Sequence, residues 1–255
     1  MKSFRSDARA QFVRSAVVLS VLSLGPSAVV GAREKDHPRP AAHVAPVTAP
    51  DLAVRGWTKS SLGSIDTGVF DLALSAANCA IQTGAVDEPS TLTVIDYSKV
   101  STAKRLWVFD LRSHELLYEE LVAHGSGSGN NVATQFGNEP ETHRSSIGLF
   151  KTEDTYVGKN GYSLRLNGLD AGFNDNAYER AIVMHGAPYV SEKIARAQGR
   201  LGRSWGCPAL SEAVAHDVID RVKQTGLVFA YYPDQRWLNS SKYLGGCSAP
   251  ASASS

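Results

Sequence analysis

Short hydrophobic runs separated by turn residues dominate the chain after residue 90. Seven of these runs have the length and the β-branched or aromatic content of strands. They are Thr91–Tyr97, Arg105–Leu111, Glu115–Ala123, Ser146–Thr152, Ser163–Leu166, Ala181–Met184 and Leu227–Tyr232. Between the second and third runs, Arg112, Ser113 and His114 predict a hairpin turn.

Helical spacing of apolar residues occurs in two other segments. Ile65–Thr83 places Ala and larger apolar residues on one face, with Ser64 or Asp66 as the N-cap and Gly84 as the stop. Ser211–Gln224 has the same spacing near the end of the chain. Seven strands and two helices without regular alternation predict a mainly β fold, a sandwich or barrel, with peripheral helices.

The two ends of the chain have a different character. Residues 1–32 begin basic and continue into an uncharged stretch that is shorter than the about 20 residues of a membrane span. This pattern predicts a cleaved secretory signal, and hence export to the periplasm or cell-wall space, with an uncleaved anchor or a cytosolic chain as the alternatives. Residues 33–64 are predicted to form an Ala- and Pro-rich leader or linker, residues 65–238 the folded domain, and residues 239–255 a flexible tail.

Composition and charge narrow the possible classes of protein. The chain has 255 residues, of which 43% are hydrophobic, so a wholly disordered or collagen-like chain is excluded. Its 26 basic residues nearly balance its 25 acidic residues, which argues against a nucleic-acid-binding domain. We therefore expect no nucleic-acid partner and, after signal cleavage, no stable membrane insertion.

The three cysteines are Cys79, Cys207 and Cys247. In an exported protein an odd number leaves one thiol without a disulfide partner. Cys79 and Cys247 could pair, but the sequence does not show whether their positions allow a disulfide. Cys207 lies in a turn just before the Ser211–Gln224 helix, whose N-terminus would lower the thiol pKa. A buried, inert cysteine is the alternative.

A candidate base precedes Cys207 in the chain. His185 follows the strand-like run Ala181–Met184, which places it at the end of a strand. A histidine within hydrogen-bond reach of a thiol can accept its proton and so create a nucleophile at neutral pH. A structural histidine with its hydrogen bonds satisfied is the alternative for this residue taken alone.

These residues together resemble a known signature. His185–Gly186, then seventeen residues, then Ser204–Cys207 resemble the HG…S-x-G-C signature of the L,D-transpeptidase (YkuD-like) catalytic domain. The stretch 203–210 resembles its murein L,D-transpeptidase branch, and the similarity extends over roughly residues 65–235. The resemblance implies a β-sandwich-like catalytic domain that uses a cysteine to attack a peptide bond in the peptidoglycan stem.

The resemblance also implies a role for each residue of the signature. Cys207 is the nucleophile, His185 the general base, and the Gly186 carbonyl the group that fixes the imidazole tautomer. Ser204 shapes the nucleophile turn through a side-chain hydrogen bond. The oxyanion hole is expected to use backbone N–H groups of this turn. They belong to Trp205, Gly206 and Cys207.

Substrate contacts are less well defined by the sequence. Many family members carry an arginine two residues after the nucleophile, where Ala209 stands here. Arg203, on the other side of the motif, is the nearest basic residue and a candidate for binding the donor. His124 and Tyr189 are further substrate-binding candidates, each with a structural role as the alternative. Arg180, Arg196 and Arg200 could supply positive charge near a carboxylate-bearing peptide, but they are interpreted as solvated surface residues.

Other chemistries have weaker support. Ser101–Lys104 matches the S-x-x-K motif of serine enzymes, but it lies between two strand-like runs and is interpreted as accidental. The histidines are scattered and no metal-binding spacing occurs, so neither a metal nor another cofactor is expected. Water in place of an amine acceptor would make the chain an L,D-carboxypeptidase, and a non-catalytic peptidoglycan-binding protein is the remaining alternative. The acceptor and the oligomeric state stay open.

Overall fold

The computed structural model describes residues 56–245 and 247, which belong to one compact unit of the chain. The predicted signal, residues 1–32, and residues 33–55 of the predicted linker lie outside the described residues. Within the described part, no helix has both the length and the apolar character needed to cross a membrane.

The described chain forms eight strands and four α-helices. The strands are β1 (Thr91–Asp96), β2 (Leu106–Asp110), β3 (Glu115–Glu120), β4 (Gly148–Gly158), β5 (Gly161–Gly168), β6 (Val183–Gly186), β7 (Ala209–Leu210) and β8 (Gly226–Tyr231). The helices are α1 (Thr67–Gln82), α2 (Glu192–Gln198), α3 (Glu212–Val222) and α4 (Gln235–Ser240). This mainly β architecture with peripheral helices confirms the predicted fold class.

The two predicted helices are present, and two short ones were not expected. Asp66 caps α1 by accepting a hydrogen bond from the Val69 N–H, as its position before the helix suggests. The helix α2 buries only Ala195, so its seven residues carry no amphipathic pattern. The two-residue strand β7 is likewise too short to produce a hydrophobic run in the sequence.

All eight strands form one strongly curled sheet in the order β3-β2-β1-β8-β4-β5-β6-β7. The pairs β1–β8 and β6–β7 are parallel, and the other pairs are antiparallel. Ala123, just after β3, bridges to Ala209 of β7. The two ends of the sheet therefore meet, and the sheet closes in the manner of a barrel.

The central strands bury side chains on both faces. In β2, Trp107 and Phe109 face the core beneath α1, whereas Leu106 and Val108 face the core beneath α3. The strands β1 and β8 alternate in the same way. Strands covered on both faces have nearly continuous hydrophobic sequences, as Leu106–Phe109 of β2 has.

The predicted linker and tail pack against the fold where the structure describes them. Trp57 contacts Phe109 edge-to-face, with ring centroids 5.5 Å apart. Tyr243 is buried, and a disulfide joins Cys79 of α1 to Cys247. The described part of residues 239–255 therefore differs from the predicted flexible tail, because an aromatic side chain and a disulfide hold it against α1.

Candidate active site

The strands β6 and β7 bring the predicted nucleophile and base to adjacent positions. His185 in β6 lies opposite Ala209 of β7 in a parallel pair, and Cys207 precedes Ala209 by two residues. The antiparallel neighbour of β6 is β5, where Ser163 lies opposite His185. The pairing of β6 with β7 therefore places the Cys207 thiol next to the strand that carries His185, although the two residues are not neighbours in the sequence.

The turn that carries Cys207, residues 203–208, is called the nucleophile turn below. Ser204 Oγ donates a hydrogen bond to the Cys207 carbonyl oxygen at 2.6 Å and accepts one from the Gly206 N–H at 3.1 Å. Gly206 has φ +122°, and a Cβ at this position would lie 2.8 Å from the Arg144 carbonyl oxygen. Only glycine fits this conformation and this close approach.

The Cys207 thiol is free but almost fully buried. Its sulfur accepts a hydrogen bond from the Val183 N–H at 3.4 Å, and the thiol donates to the Ala181 carbonyl oxygen at 3.8 Å. Burial raises the pKa of the thiol, and the opposing effects of Val183 and the Arg180 charge are smaller.

The predicted helix effect on Cys207 is wrong. The helix α3 begins only at Glu212, after the short strand β7, so its N-terminus does not adjoin the thiol. The raised pKa means that the resting group is a neutral thiol at neutral pH. A reaction of this thiol as a nucleophile would therefore need a base that removes its proton.

His185 is suited to act as that base. Its side chain is buried, and Nδ1 donates a hydrogen bond to the Gly186 carbonyl oxygen at 2.9 Å. This bond leaves Nε2 with its lone pair available. Burial lowers the pKa of His185, with a smaller opposing effect of the Gly186 carbonyl, so the imidazole is neutral at rest. Among the hydrogen bonds of the described residues, none joins His185 to Cys207.

Fewer backbone N–H groups of the nucleophile turn are available for an oxyanion hole than the sequence predicts. The Gly206 N–H is already bonded to Ser204 Oγ, so it cannot also donate to a reacting carbonyl oxygen. The Cys207 N–H lies close to its own sulfur, where it lowers the thiol pKa. In the described structure the Trp205 N–H has no acceptor, so it and Cys207 are the remaining candidates.

Trp205 forms an exposed aromatic surface next to the nucleophile. Its side chain is 72% exposed. The His143 ring stacks against it at a centroid distance of 4.9 Å, with the ring planes only 6° apart. The Lys159 ammonium lies 5.8 Å from the indole centroid. A flat aromatic face and a positive charge therefore border the nucleophile turn.

His124, a predicted substrate-binding candidate, is buried among structural contacts. Its side chain is only 1% exposed, and Nδ1 accepts a hydrogen bond from Arg105 Nη2 at 2.8 Å. Nε2 bonds the Gly129 carbonyl oxygen at 3.4 Å. Burial and the Arg105 charge lower the pKa of His124 to about 4. His124 is thus a neutral structural histidine, because a buried guanidinium occupies the position next to it.

Arg203 and Tyr189 differ in how much they can offer a substrate. Arg203 Nη1 donates to the Gly129 carbonyl oxygen at 3.0 Å and to Asn130 Oδ1 at 3.2 Å, so it holds the neighbouring loop. Tyr189 is half-buried, and burial together with the nearby Cys207 raises its pKa to about 12. Tyr189 therefore lies within electrostatic range of the thiol, and its substrate contact stays a prediction.

Ser145 and Arg180 support the nucleophile turn, and sequence reasoning assigned a role to neither. Ser145 Oγ donates to the Gly206 carbonyl oxygen at 2.9 Å and accepts from the Gly125 N–H at 3.0 Å. Arg180 is half-buried rather than solvated, and its charge acts on Cys207. Both residues lie in stretches that resemble the family, which was the available signal.

The described part of the chain contains no group of side chains that could form a metal-binding site. Among residues 56–245 and 247, no three His, Cys, Asp or Glu side chains are grouped so that they could hold a metal ion.

The fold and this site define a mainly β catalytic domain of the L,D-transpeptidase class. A family model described as the L,D-transpeptidase catalytic domain matches residues 62–231, and the chain belongs to this family. A comparison with curated proteins gives no match.

Several solved structures are similar to the chain at low identity. An L,D-transpeptidase from Mycobacterium smegmatis is 16% identical with a TM-score of 0.35, covering 56% of this chain and 59% of its own. One from Mycobacterium tuberculosis H37Rv is 16% identical with a TM-score of 0.33, covering 56% and 58%. One from Stackebrandtia nassauensis is 15% identical with a TM-score of 0.34, covering 64% and 68%. The chain thus spans less than two thirds of the length of the first two.

Proposed function

We propose that this chain cleaves an L,D peptide bond in the peptidoglycan stem peptide and transfers the acyl group to an amine. The observation that carries the proposal is the position of a free thiol, Cys207, in the turn just before β7, next to the strand β6 that carries the neutral imidazole of His185. The Gly186 carbonyl holds the imidazole with Nε2 as the proton acceptor. Membership of the L,D-transpeptidase family supports the choice of bond.

The first half-reaction forms a thioester. As the Cys207 sulfur attacks the carbonyl carbon of the L-residue, His185 Nε2 takes the thiol proton. The N–H groups of Trp205 and Cys207 donate to the oxyanion of the tetrahedral intermediate. The C–N bond then breaks, and the imidazolium returns the proton to the departing amine of the D-residue.

The second half-reaction releases the thioester. An amine attacks the thioester carbonyl while His185 takes a proton from it, and the C–S bond breaks. The proton then returns from the imidazolium to the Cys207 sulfur. The product is a new amide, which is a cross-link when the amine belongs to a second stem peptide. Water in the same position would give hydrolysis.

Export of the chain forms part of the proposal. Residues 1–32 serve as a secretory signal that carries the domain to the periplasm or cell-wall space, where peptidoglycan lies. The disulfide between Cys79 and Cys247 supports this location, since disulfides persist in oxidising compartments.

The function is tested with the purified protein and disaccharide-tetrapeptide fragments of peptidoglycan, with products followed by mass spectrometry. Cross-linked dimers and a transient thioester adduct on Cys207 are the expected result. Release of the terminal D-residue without dimers would establish a carboxypeptidase instead. Binding of the fragments without any product would point to a peptidoglycan-binding protein and contradict the proposal.

The pH dependence of the reaction follows from the two groups that are neutral at rest, the His185 imidazole and the Cys207 thiol. Loss of activity at low pH reports protonation of His185, whose lowered pKa puts this limb below the ordinary imidazole value of about 6.5. Alkylation of Cys207 by iodoacetamide should rise with pH, with a midpoint above the ordinary thiol value of about 8.5, because burial raises its pKa. Initial rates of kcat/KM and of alkylation across pH 4–11 check both expectations.

A resting thiolate–imidazolium pair would give a different profile. Alkylation would then already be maximal near pH 6, since the thiolate would exist at that pH. This outcome would show that the buried site stabilises the ion pair and would contradict the neutral-thiol mechanism. Cys79 and Cys247 do not interfere with the measurement, because they are joined in a disulfide.

A further inference from the structure

A guanidinium without a carboxylate partner lies beside the nucleophile turn. Arg180 Nη1 donates to the Gly137 carbonyl oxygen at 2.9 Å and to Ser146 Oγ at 2.7 Å, and Nη2 donates to the Arg144 carbonyl oxygen at 2.8 Å. All three acceptors are uncharged. None of the salt bridges among the described residues includes Arg180.

These contacts fix the guanidinium close to Cys207. The Arg144 carbonyl oxygen that accepts from Arg180 also lies 2.8 Å from the position of a Cβ on Gly206, the residue before Cys207. On the other side, the Cys207 thiol donates to the carbonyl oxygen of Ala181, the next residue after Arg180. Two backbone carbonyl groups, of Arg144 and Ala181, therefore link Arg180 to the nucleophile turn.

Arg180 is the cation that acts on the Cys207 thiol, whereas Lys159 lies at the exposed ring of Trp205. Burial raises the pKa of the thiol and lowers the pKa of Arg180, and the attraction between the two groups opposes both shifts. Glu139 also acts on Arg180 but forms no ion pair with it among the described residues. Arg203 is held by loop carbonyl groups.

We propose that Arg180 stabilises the negative charge that develops on the Cys207 sulfur when His185 removes its proton. The same charge develops again when the C–S bond of the thioester breaks. Three neutral acceptors hold the guanidinium in place without neutralising it, so its field is available before the substrate arrives. This inference rests on the proposed role of Cys207 as the nucleophile, and it makes Arg180 a positioning residue that acts through the sulfur.

The test compares Arg180→Gln with Arg180→Lys by the pH dependence of Cys207 alkylation in the folded protein. An opposite charge at short range shifts a pKa by about one unit or more. Arg180→Gln should therefore raise the alkylation midpoint by about one unit, and slow alkylation about tenfold at pH values below it. Arg180→Lys keeps the charge, so its midpoint should stay within about half of that shift of the wild-type value.

Two controls separate the charge from the structural role of Arg180. Ser146→Ala removes one of its hydrogen bonds and keeps the charge, so this variant should lose stability without a change in the alkylation midpoint. Arg196→Gln removes an exposed arginine that pairs with Glu192 on α2, and it should change neither quantity. An Arg180→Gln variant that loses stability while its midpoint matches the wild type would overturn the proposal.

A measurement on the unaltered protein covers the case in which Arg180→Gln does not fold. The Arg180 field should favour anionic iodoacetate over neutral iodoacetamide at Cys207, relative to a small model thiol. Most of this preference should remain when the salt concentration is raised from 0.05 M to 1 M, because the sulfur is buried and the guanidinium half-buried, whereas a preference caused by the exposed Lys159 would be screened. A preference equal to that of the model thiol would overturn the proposal. These readouts need no substrate, so they are distinct from the product assay that tests the proposed function.

Discussion

Replacing Cys207 with Ala is expected to abolish thioester formation and to lower kcat for dimer formation by about 10⁴-fold or more. In the proposed mechanism the sulfur takes part in covalent bonding in both half-reactions, and no other free cysteine is present among the described residues. Replacing His185 with Ala should cost a similar factor, because burial keeps the thiol protonated without a base. Initial rates of dimer formation and the intact mass of the protein after incubation measure both effects.

The double variant, with Ala at both Cys207 and His185, tests whether the two residues act together. Residues that act as one unit are strongly non-additive, so Cys207→Ala combined with His185→Ala should be no slower than Cys207→Ala alone. His216→Ala is the matched control, since His216 is an exposed histidine on α3. Its rate should equal that of the wild type. Rates within tenfold of wild type for Cys207→Ala, or additive losses in the double variant, would contradict a shared thiol–imidazole mechanism.

The sequence was most informative where chemistry depends on residue type and spacing. The resemblance to the HG…S-x-G-C signature singled out Cys207 and His185, for which a strand end and a tight turn alone had left structural roles open. The central strands were likewise found, since strands buried on both faces are uniformly apolar. The strand β7, which places Cys207 beside His185, was missed because its two residues are too few to form a pattern.

The protonation and the role of each side chain at the site depend on burial, which the local sequence does not reveal. Nearness to α3 suggested a lowered thiol pKa, whereas the surrounding core raises it. His124 precedes a glycine as His185 does, yet a hydrogen bond from the buried Arg105 makes it structural. Arg180 was interpreted as a surface residue because its acceptors, such as Gly137 and Arg144, are distant in the sequence.

Gly125 illustrates a contact that only the folded chain shows. Its φ of −67° and ψ of 144° suit any residue, so backbone conformation does not require glycine here. A Cβ would nevertheless lie 2.2 Å from the His143 carbonyl oxygen and 2.9 Å from the Gly206 nitrogen. Gly125 also bridges to Ser204 in a parallel arrangement. The segment around Gly125 therefore packs directly against the backbone of the nucleophile turn.

Gly125→Ala is accordingly expected to displace the nucleophile turn. The backbone must move by a substantial fraction of an ångström, and a misplacement of about 1 Å costs roughly 100-fold in rate. Overpacking of this kind should also lower the free energy of unfolding by about 1–3 kcal/mol. Dimer-forming rates and urea denaturation of the same preparation measure the two effects separately.

Gly172→Ala is the matched control for Gly125→Ala. Gly172 has φ +77°, which disfavours alanine, but a Cβ there meets no atom within 4 Å. This variant should lose about 1–2 kcal/mol of stability from backbone strain and keep its full rate. A Gly125→Ala protein that loses stability but retains the wild-type rate would show that the nucleophile turn tolerates movement of its neighbour. A rate loss confined to Gly125→Ala would instead identify the close approach of the two segments as the feature that positions Cys207.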